Sequence, residues 1–411
     1  MRNMGDYTKG TVARQSWSDL IAKYSGFVYG AEDMIIAEVL ALRYLHILLH
    51  YVKNDGVKLL LTWHLLRQFA SYVDHSAVFL MGSTFEKECI TRVEMVMQLP
   101  LHSGHLFKVA PLNAVQLADT IASRVNDAFS NSLIMSRWLG SGNRDTLLKK
   151  LQRIEVLTGY PDGLKTEADV NRYYGDYPES GASFFKNWLS ASRLTQMRRV
   201  KTTSSTEFLI GTVNAMYSQM ANKVVVSAAI LQPPLFFVDG PAAYNYGTLG
   251  HIFGHEVMHA FDVRGIDIDD QGLVGDWMTP SARKEYESRT LCLRDDHVRV
   301  LYRRSGLLND TLDSENLADF VGATTAYKAY ESVSARRREA VSGLPYRPDQ
   351  LFFLSYCLKW CEHREANLSS PRYAPGFSRC TVPLRHMKEF SDSFNCPAGS
   401  TMNPRKKCSF W

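Results

Sequence analysis

From about Gln15 to Val200 apolar residues recur three and four positions apart. The stretches VKLLLTWHLLRQFASYV, VQLADTIASRVNDAFSNSLIMSRWL and RDTLLKKLQRIEVL carry that spacing most clearly and predict amphipathic helices. GYPDG at 159–163 is a turn. Between Thr206 and Val226 the texture changes to EFLIGTVNAMYS and NKVVVSAAIL, short β-prone runs joined by a polar turn. QPPLFFVDGPAAYNYG then breaks regular structure, and helical spacing returns over 279–303, 312–332 and 348–363. Pro383 fits the first turn of a last helix running to Phe394. The pattern predicts a mainly α fold with one small β-sheet (α+β), divided near Val200 into a helical part, 1–200, and a second part, 201–411.

The most apolar stretch, MIIAEVLALRYLHILLHYV at 34–52, is interrupted by Glu38, Arg43 and two histidines. It reads as a buried amphipathic helix rather than a membrane span, which needs about 20 apolar residues. No apolar run follows MRNMGDYTKG, so the start does not read as a secretory signal. A length of 411 residues exceeds one ordinary core, and 45% hydrophobic with 22% charged residues is ordinary globular composition. The net charge of +5 comes from well-mixed charges, and the longest basic run, ARRR ending at Arg338, reads as a solvated helix face. Nucleic acid is therefore not an expected partner. The cysteines change the picture: six of the seven lie from Cys292 onward, a density typical of oxidising compartments. The sequons Asn309-Asp-Thr and Asn367-Leu-Ser suit a secreted protein as well. That body is at odds with a start lacking a signal.

The chemistry concentrates in GTLGHIFGHEVMHAFD, 247–262. Positions four apart share a helix face, so His255 and His259 can present imidazoles to one ion, with Glu256 beside them able to reach a metal-bound water without ligating. A catalytic zinc takes three protein ligands and leaves one position for water, so a third ligand is needed. DSENLADFVG, 313–322, offers Glu315 and Asp319, again four apart. Glu315 suits a ligand, and Asp319 suits the far nitrogen of a zinc histidine, fixing its tautomer. Taken alone, the same residues read equally as surface histidines and as an acidic first helical turn capped by Asp313 or Ser314.

H-E-x-x-H followed by E-x-x-x-D resembles the zinc metallopeptidases whose third ligand is glutamate. The chain further resembles the neprilysin family, which includes the endothelin-converting enzymes. The blocks that carry the resemblance are VNAMYS, ILQPPLFF, YNYGTLGHIFGHEVMHAFD, ENLADFVG, QLFFLSYCLKWC, MNPRKKC and the closing tryptophan, in that order. Weaker similarity runs upstream to about Ser25. The resemblance implies a thermolysin-like zinc peptidase domain at 201–411 and part of a helical capping domain at 1–200. It implies one zinc per chain on His255, His259 and Glu315, Glu256 as general base and Asp319 orienting a histidine, His255 before His259. Asn214 and Ala215 match the N-A-x-Y segment that binds substrate backbone like an added strand. On the residues alone that segment reads as well as an ordinary strand end with Tyr217 buried. Ile230 and the apolar residues around Ile252 are expected to receive a large hydrophobic side chain just after the cleaved bond, and peptides are the expected partners.

Three departures qualify the resemblance. Relatives carry a histidine shortly before an arginine, after the W-C motif, that stabilises the oxyanion. Here SSPRYAPGFSRCTVPL places Arg379 at the arginine, among the substrate-binding positions, and Tyr373 or a neighbour where the histidine is expected. Loss of one such donor costs roughly 10²–10³ in rate, and a tyrosine hydroxyl is the available substitute. After Asp319 the family continues Asn-Gly-Gly, whereas this chain has Phe320-Val321-Gly322, bulkier residues close to the zinc face. By the resemblance Cys292 pairs with Cys408, and Cys89, Cys361 and Cys396 lack upstream partners, while the extra Cys357 and Cys380 pair with each other. Relatives are longer, usually with a membrane anchor, so the chain reads as the C-terminal portion of a protein that is extracellular or cell-surface when complete. The expected activity is zinc-dependent endopeptidase on short peptides; the alternative is an impaired homologue that binds zinc and peptides without turnover.

Overall fold

The computed structural model describes residues 4–30, 39–73, 76, 84–201, 210–270, 272–275, 277–297, 308–335, 343–361 and 373–411. The expectations at Asn367, at Arg338 and for helical structure from 298 to 303 lie outside them. The chain falls into two compact units, Met1–Gly104 with Thr166–Leu209, and His105–Lys165 with Ile210–Trp411. Each unit draws on two separate stretches of sequence, so residues 105–165 pack with residues 210–411.

The first unit is helical, with long helices at Val39–Tyr51, Lys53–Val73 and Phe184–Lys201. Phe85–Val109 contains Pro100 and kinks at Met97, as a ring without an N–H demands. The apolar stretch expected as a buried helix is helical from Val39 but mostly exposed. Leu42 packs with Trp17 and Ile21, whereas Leu40, Tyr44 and Tyr51 stand at 58–73% exposure. Its apolar residues are spread around the helix, so one contact stripe covers few of them.

The second unit holds helices α1 (Leu112–Met135) and α2 (Ser141–Gln152), then strands β1 (Glu155–Gly159), β2 (Ala215–Ser218) and β3 (Lys223–Ser227). Helices α3 (His251–Met258), α4 (Pro280–Asp296), α5 (Leu312–Glu331), α6 (Pro348–Leu358), α7 (Gly376–His386) and α8 (Lys388–Ser393) follow. The sheet order is β1-β3-β2, with β1 parallel and β2 antiparallel to β3. RDTLLKKLQRIEVL does not stay helical to its end: α2 stops at Gln152, and Glu155–Gly159 becomes the strand that pairs Val156 with Val224. Helical spacing and strand alternation coincide over so few residues, and long-range pairing decided between them.

Helix α5 is the centre of the core, buried from Leu312 to Ala323. Its start is capped by neither Asp313 nor Ser314. Asn309 Oδ1 accepts from the N–H groups of Thr311 and Leu312 at 3.0 and 2.7 Å, while Asp313 pairs with buried Arg294. Pro383 lies inside α7 rather than in a first turn. Its missing N–H would have bonded the Arg379 carbonyl, which instead accepts from the Tyr356 hydroxyl at 2.7 Å. Disulfides join Cys292 to Cys408 and Cys357 to Cys380, and Cys89, Cys361 and Cys396 are free. Among the described residues no helix is long and apolar enough to cross a membrane.

Candidate metal centre

Helix α3 is preceded by a π turn, Tyr246–Gly250, and runs against α5 with almost no side-chain spacer. A Cβ on Gly254 would stand 2.9 Å from Cα of Gly322, and one on Gly322 would stand 2.7 Å from the His255 nitrogen. Only two glycines allow so close a backbone crossing. Phe320 and Val321, the bulky neighbours, pack elsewhere, Phe320 against the ring of His386 at 6.0 Å. The crossing sets Glu315 and Asp319, one turn apart on α5, beside His255 and His259.

Three donor atoms converge there. Nε2 of His255 lies 3.1 Å from Nε2 of His259 and 3.3 Å from Oε2 of Glu315, and the third side of the triangle is 3.9 Å. A tetrahedral zinc with bonds of about 2.0–2.1 Å sets its ligand atoms about 3.3 Å apart, so the spacing fits that ion. The outer nitrogens fix the tautomers. His255 Nδ1 meets Oδ1 of Asp319 at 2.9 Å, and His259 Nδ1 meets Oδ2 of Asp262 at 2.7 Å. A carboxylate accepts there, so each Nδ1 carries the proton and each Nε2 turns a lone pair inward.

Asp319 is fully buried. Burial opposes its charge, but the Arg379 guanidinium, bidentate at 2.6 and 2.8 Å, outweighs burial together with His255 and holds the carboxyl far below the usual range. Glu315 is held down in the same way by His255 and His259 against its burial. Burial also opposes charging of His255, yet Asp319, Glu315 and Glu256 carry its pKa up to about 10.

These residues line a cleft of about 1080 Å³. Glu256 lines it with no hydrogen-bond or ion-pair partner among the described residues. Strand β2 borders the cleft, and among the described residues its other edge is unpaired. Ser227 N–H donates to the Asn214 carbonyl at 3.2 Å, so the alternation of an antiparallel pair turns the backbone groups of Ala215 toward that free edge. Tyr217 is partly buried and donates to Asn222 Oδ1 at 2.7 Å. Tyr373 lines the cleft, 37% exposed, with its ring 4.8 Å from the Arg379 guanidinium. Asn309, of the first sequon, lines it too.

The described part of the fold resembles that of solved zinc metalloproteases. Against zinc metalloprotease ZMP1 of Mycobacterium tuberculosis the TM-score is 0.69 at 21% identity, covering 100% of this chain and 65% of that one. Against PepO of Lactobacillus rhamnosis it is 0.65 at 21%, covering 88% and 59%. Residues 214–410 match peptidase family M13. An endothelin-converting enzyme homolog of Locusta migratoria is 28% identical over 376 residues, 85% of this chain and 52% of that protein. Neprilysin-2 of Caenorhabditis elegans is 30% identical over 341 residues, 79% and 46%. The chain belongs to the neprilysin and endothelin-converting enzyme family of zinc metallopeptidases. It spans about half the length of these curated neprilysin-family relatives.

Two residues that brace the candidate centre are not signalled by the motifs. Asp262 orients His259 and also accepts the N–H groups of Arg264 and Gly265 at 2.9 and 2.7 Å, closing the turn after α3. Its place three residues after His259 was the available signal. Lys150 of α2 donates to the carbonyls of Ala260, Gly265 and Ile268 at 2.6–2.7 Å, pinning the same turn. Burial lowers its pKa to about 8. Nothing local in the sequence pointed to it.

Proposed function

We propose that the chain is the catalytic part of a zinc metalloendopeptidase that cleaves short peptides and is extracellular or cell-surface in its complete form. Residues 201–411 are its catalytic domain and 1–200 part of a helical capping domain. The observation that carries the reading is the triangle of His255, His259 and Glu315 donors with the unpartnered carboxylate of Glu256 beside it.

His255, His259 and Glu315 would hold the zinc, which would supply a Lewis acid for the peptide carbonyl and lower the pKa of water to about 7. Glu256 takes the proton of the attacking water and returns it to the leaving amine. Asp319 and Asp262 keep the two imidazoles aimed. Substrate backbone adds to the free edge of β2 at Ala215, with the Asn214 side chain assisting, which tolerates varied sequences. Arg379 and Tyr373 border the reacting carbonyl, and the Tyr373 hydroxyl serves as oxyanion donor in place of the missing histidine.

An expected preference for a large apolar side chain after the bond has the walls of Ile230, Leu235 and Ile252 in its favour and Lys359, in the same lining, against it. A second reading keeps zinc and peptide binding without turnover; it is favoured by the phenol at Tyr373, a weaker donor than an imidazolium. Zinc-dependent cleavage decides between them. Turnover that a chelator abolishes and one equivalent of zinc restores supports the peptidase. A zinc-loaded chain that binds peptides but leaves them whole supports the second reading.

A further inference from the structure

We infer that Lys359 makes the pocket beside the metal centre selective for an acidic residue, glutamate above all, directly after the cleaved bond; this rests on the peptidase reading. Lys359 lines the cleft together with Ile230, Leu235, Ile252 and Trp360. Its ammonium donates to the carbonyls of Gly247 and Tyr356 at 3.1 and 3.0 Å. The π turn sends the His251 N–H to Tyr246 and Thr248, bypassing Gly247, and Tyr356 lies in the last turn of α6.

An ammonium has three donors, and one remains. Lys359 forms no ion pair among the described residues. Arg379, a second cation of the lining, is bound bidentate to Asp319. The Lys359 ammonium thus keeps a donor for an incoming anion, and its position is fixed across the rings of Tyr356 and Trp360 at 4.1 and 5.2 Å. A carboxylate arriving there makes a charge-assisted hydrogen bond that is shielded from water and fixed in geometry. Burial pushes the Lys359 pKa down, and an adjacent carboxylate works against that push.

Length and wall chemistry select among acidic side chains. Gly247 lies eight residues before His255, about 12 Å along the helix, so a longer side chain reaches Lys359 better than aspartate. The aliphatic wall of Ile230, Leu235 and Ile252 suits the methylene groups of glutamate.

The test uses dipeptide hydroxamates that differ only in the side chain next to the zinc-binding group: glutamate, glutamine or leucine. Calorimetry measures their binding to the zinc-loaded chain, to Lys359→Met and to Lys359→Arg. We expect glutamate to bind roughly tenfold tighter than leucine or glutamine in the wild type. Lys359→Met should bring that ratio to one or below, and Lys359→Arg should keep it, which a purely structural lysine would not do. A wild-type ratio at or below one, no binding of either ligand, or an unchanged ratio in folded Lys359→Met overturns the inference. If Lys359→Met does not fold, the wild-type ratio of glutamate to glutamine decides. Because binding is read without turnover, a chain that cleaves nothing removes the peptidase reading while the ratio still judges the pocket.

Discussion

Asp319 divides its carboxylate between two partners: Oδ1 meets His255 Nδ1 at 2.9 Å, and Arg379 grips both oxygens at 2.6 and 2.8 Å. One buried anion thus fixes the His255 imidazole and a cleft-lining cation together. Asp319→Asn keeps the volume but loses the charge that holds the His255 tautomer. Zinc affinity should fall about 10–100-fold, read by competition with a chromophoric chelator. Unchanged affinity would show that Asp319 serves only the fold.

Asp262 does for His259 what Asp319 does for His255, and it closes the turn after α3 as well. Asp262→Ala should therefore weaken zinc by a similar factor and also lower the melting temperature of the zinc-free chain, since two N–H groups lose their acceptor. A drop in zinc affinity with no change in melting would assign it to the metal alone.

The crossing of α3 and α5 has no room for a methyl group. Gly322→Ala places its Cβ 2.7 Å from the His255 nitrogen, a backbone atom that cannot swing aside. Destabilisation of about 1–3 kcal/mol or more is expected, with impaired zinc binding because the helices must part. Denaturant unfolding measures it; a neutral result would mean that the helices do not meet here.

Acid should loosen the fold through His297. It is buried against the Ser378 hydroxyl at 2.8 Å, and burial pulls its pKa from 6.5 down to about 4. The folded state keeps the ring neutral while the unfolded chain takes the proton. The contribution is complete above pH 6.5, and roughly 3 kcal/mol disappears as pH falls toward 4. His297→Gln should flatten the stability profile in that window, followed by urea unfolding at several pH values.

What the sequence disclosed was what repeats locally. His255 with His259, and Glu315 with Asp319, announce themselves because a helix brings positions four apart to one face. The residues that complete the centre come from distant partners. Lys150 reaches the turn after α3 across more than a hundred residues of chain. Strand β1 exists because β3 pairs with it, and Pro383 sits inside α7 because the Tyr356 hydroxyl serves the carbonyl it leaves bare. Lys359 was legible as a residue, but its two carbonyl partners and its place in the cleft belong to the packing of α6 against the π turn.

The central claim is tested most directly by cleavage of quenched fluorescent peptides by the wild-type chain and Glu256→Gln, each carrying one zinc. The set should include glutamate and leucine after the cleaved bond. The account predicts zinc bound equally by both proteins and turnover in the wild type that falls at least 10³-fold in Glu256→Gln. Equal background rates with zinc in place would contradict it and leave a centre that binds without cleaving.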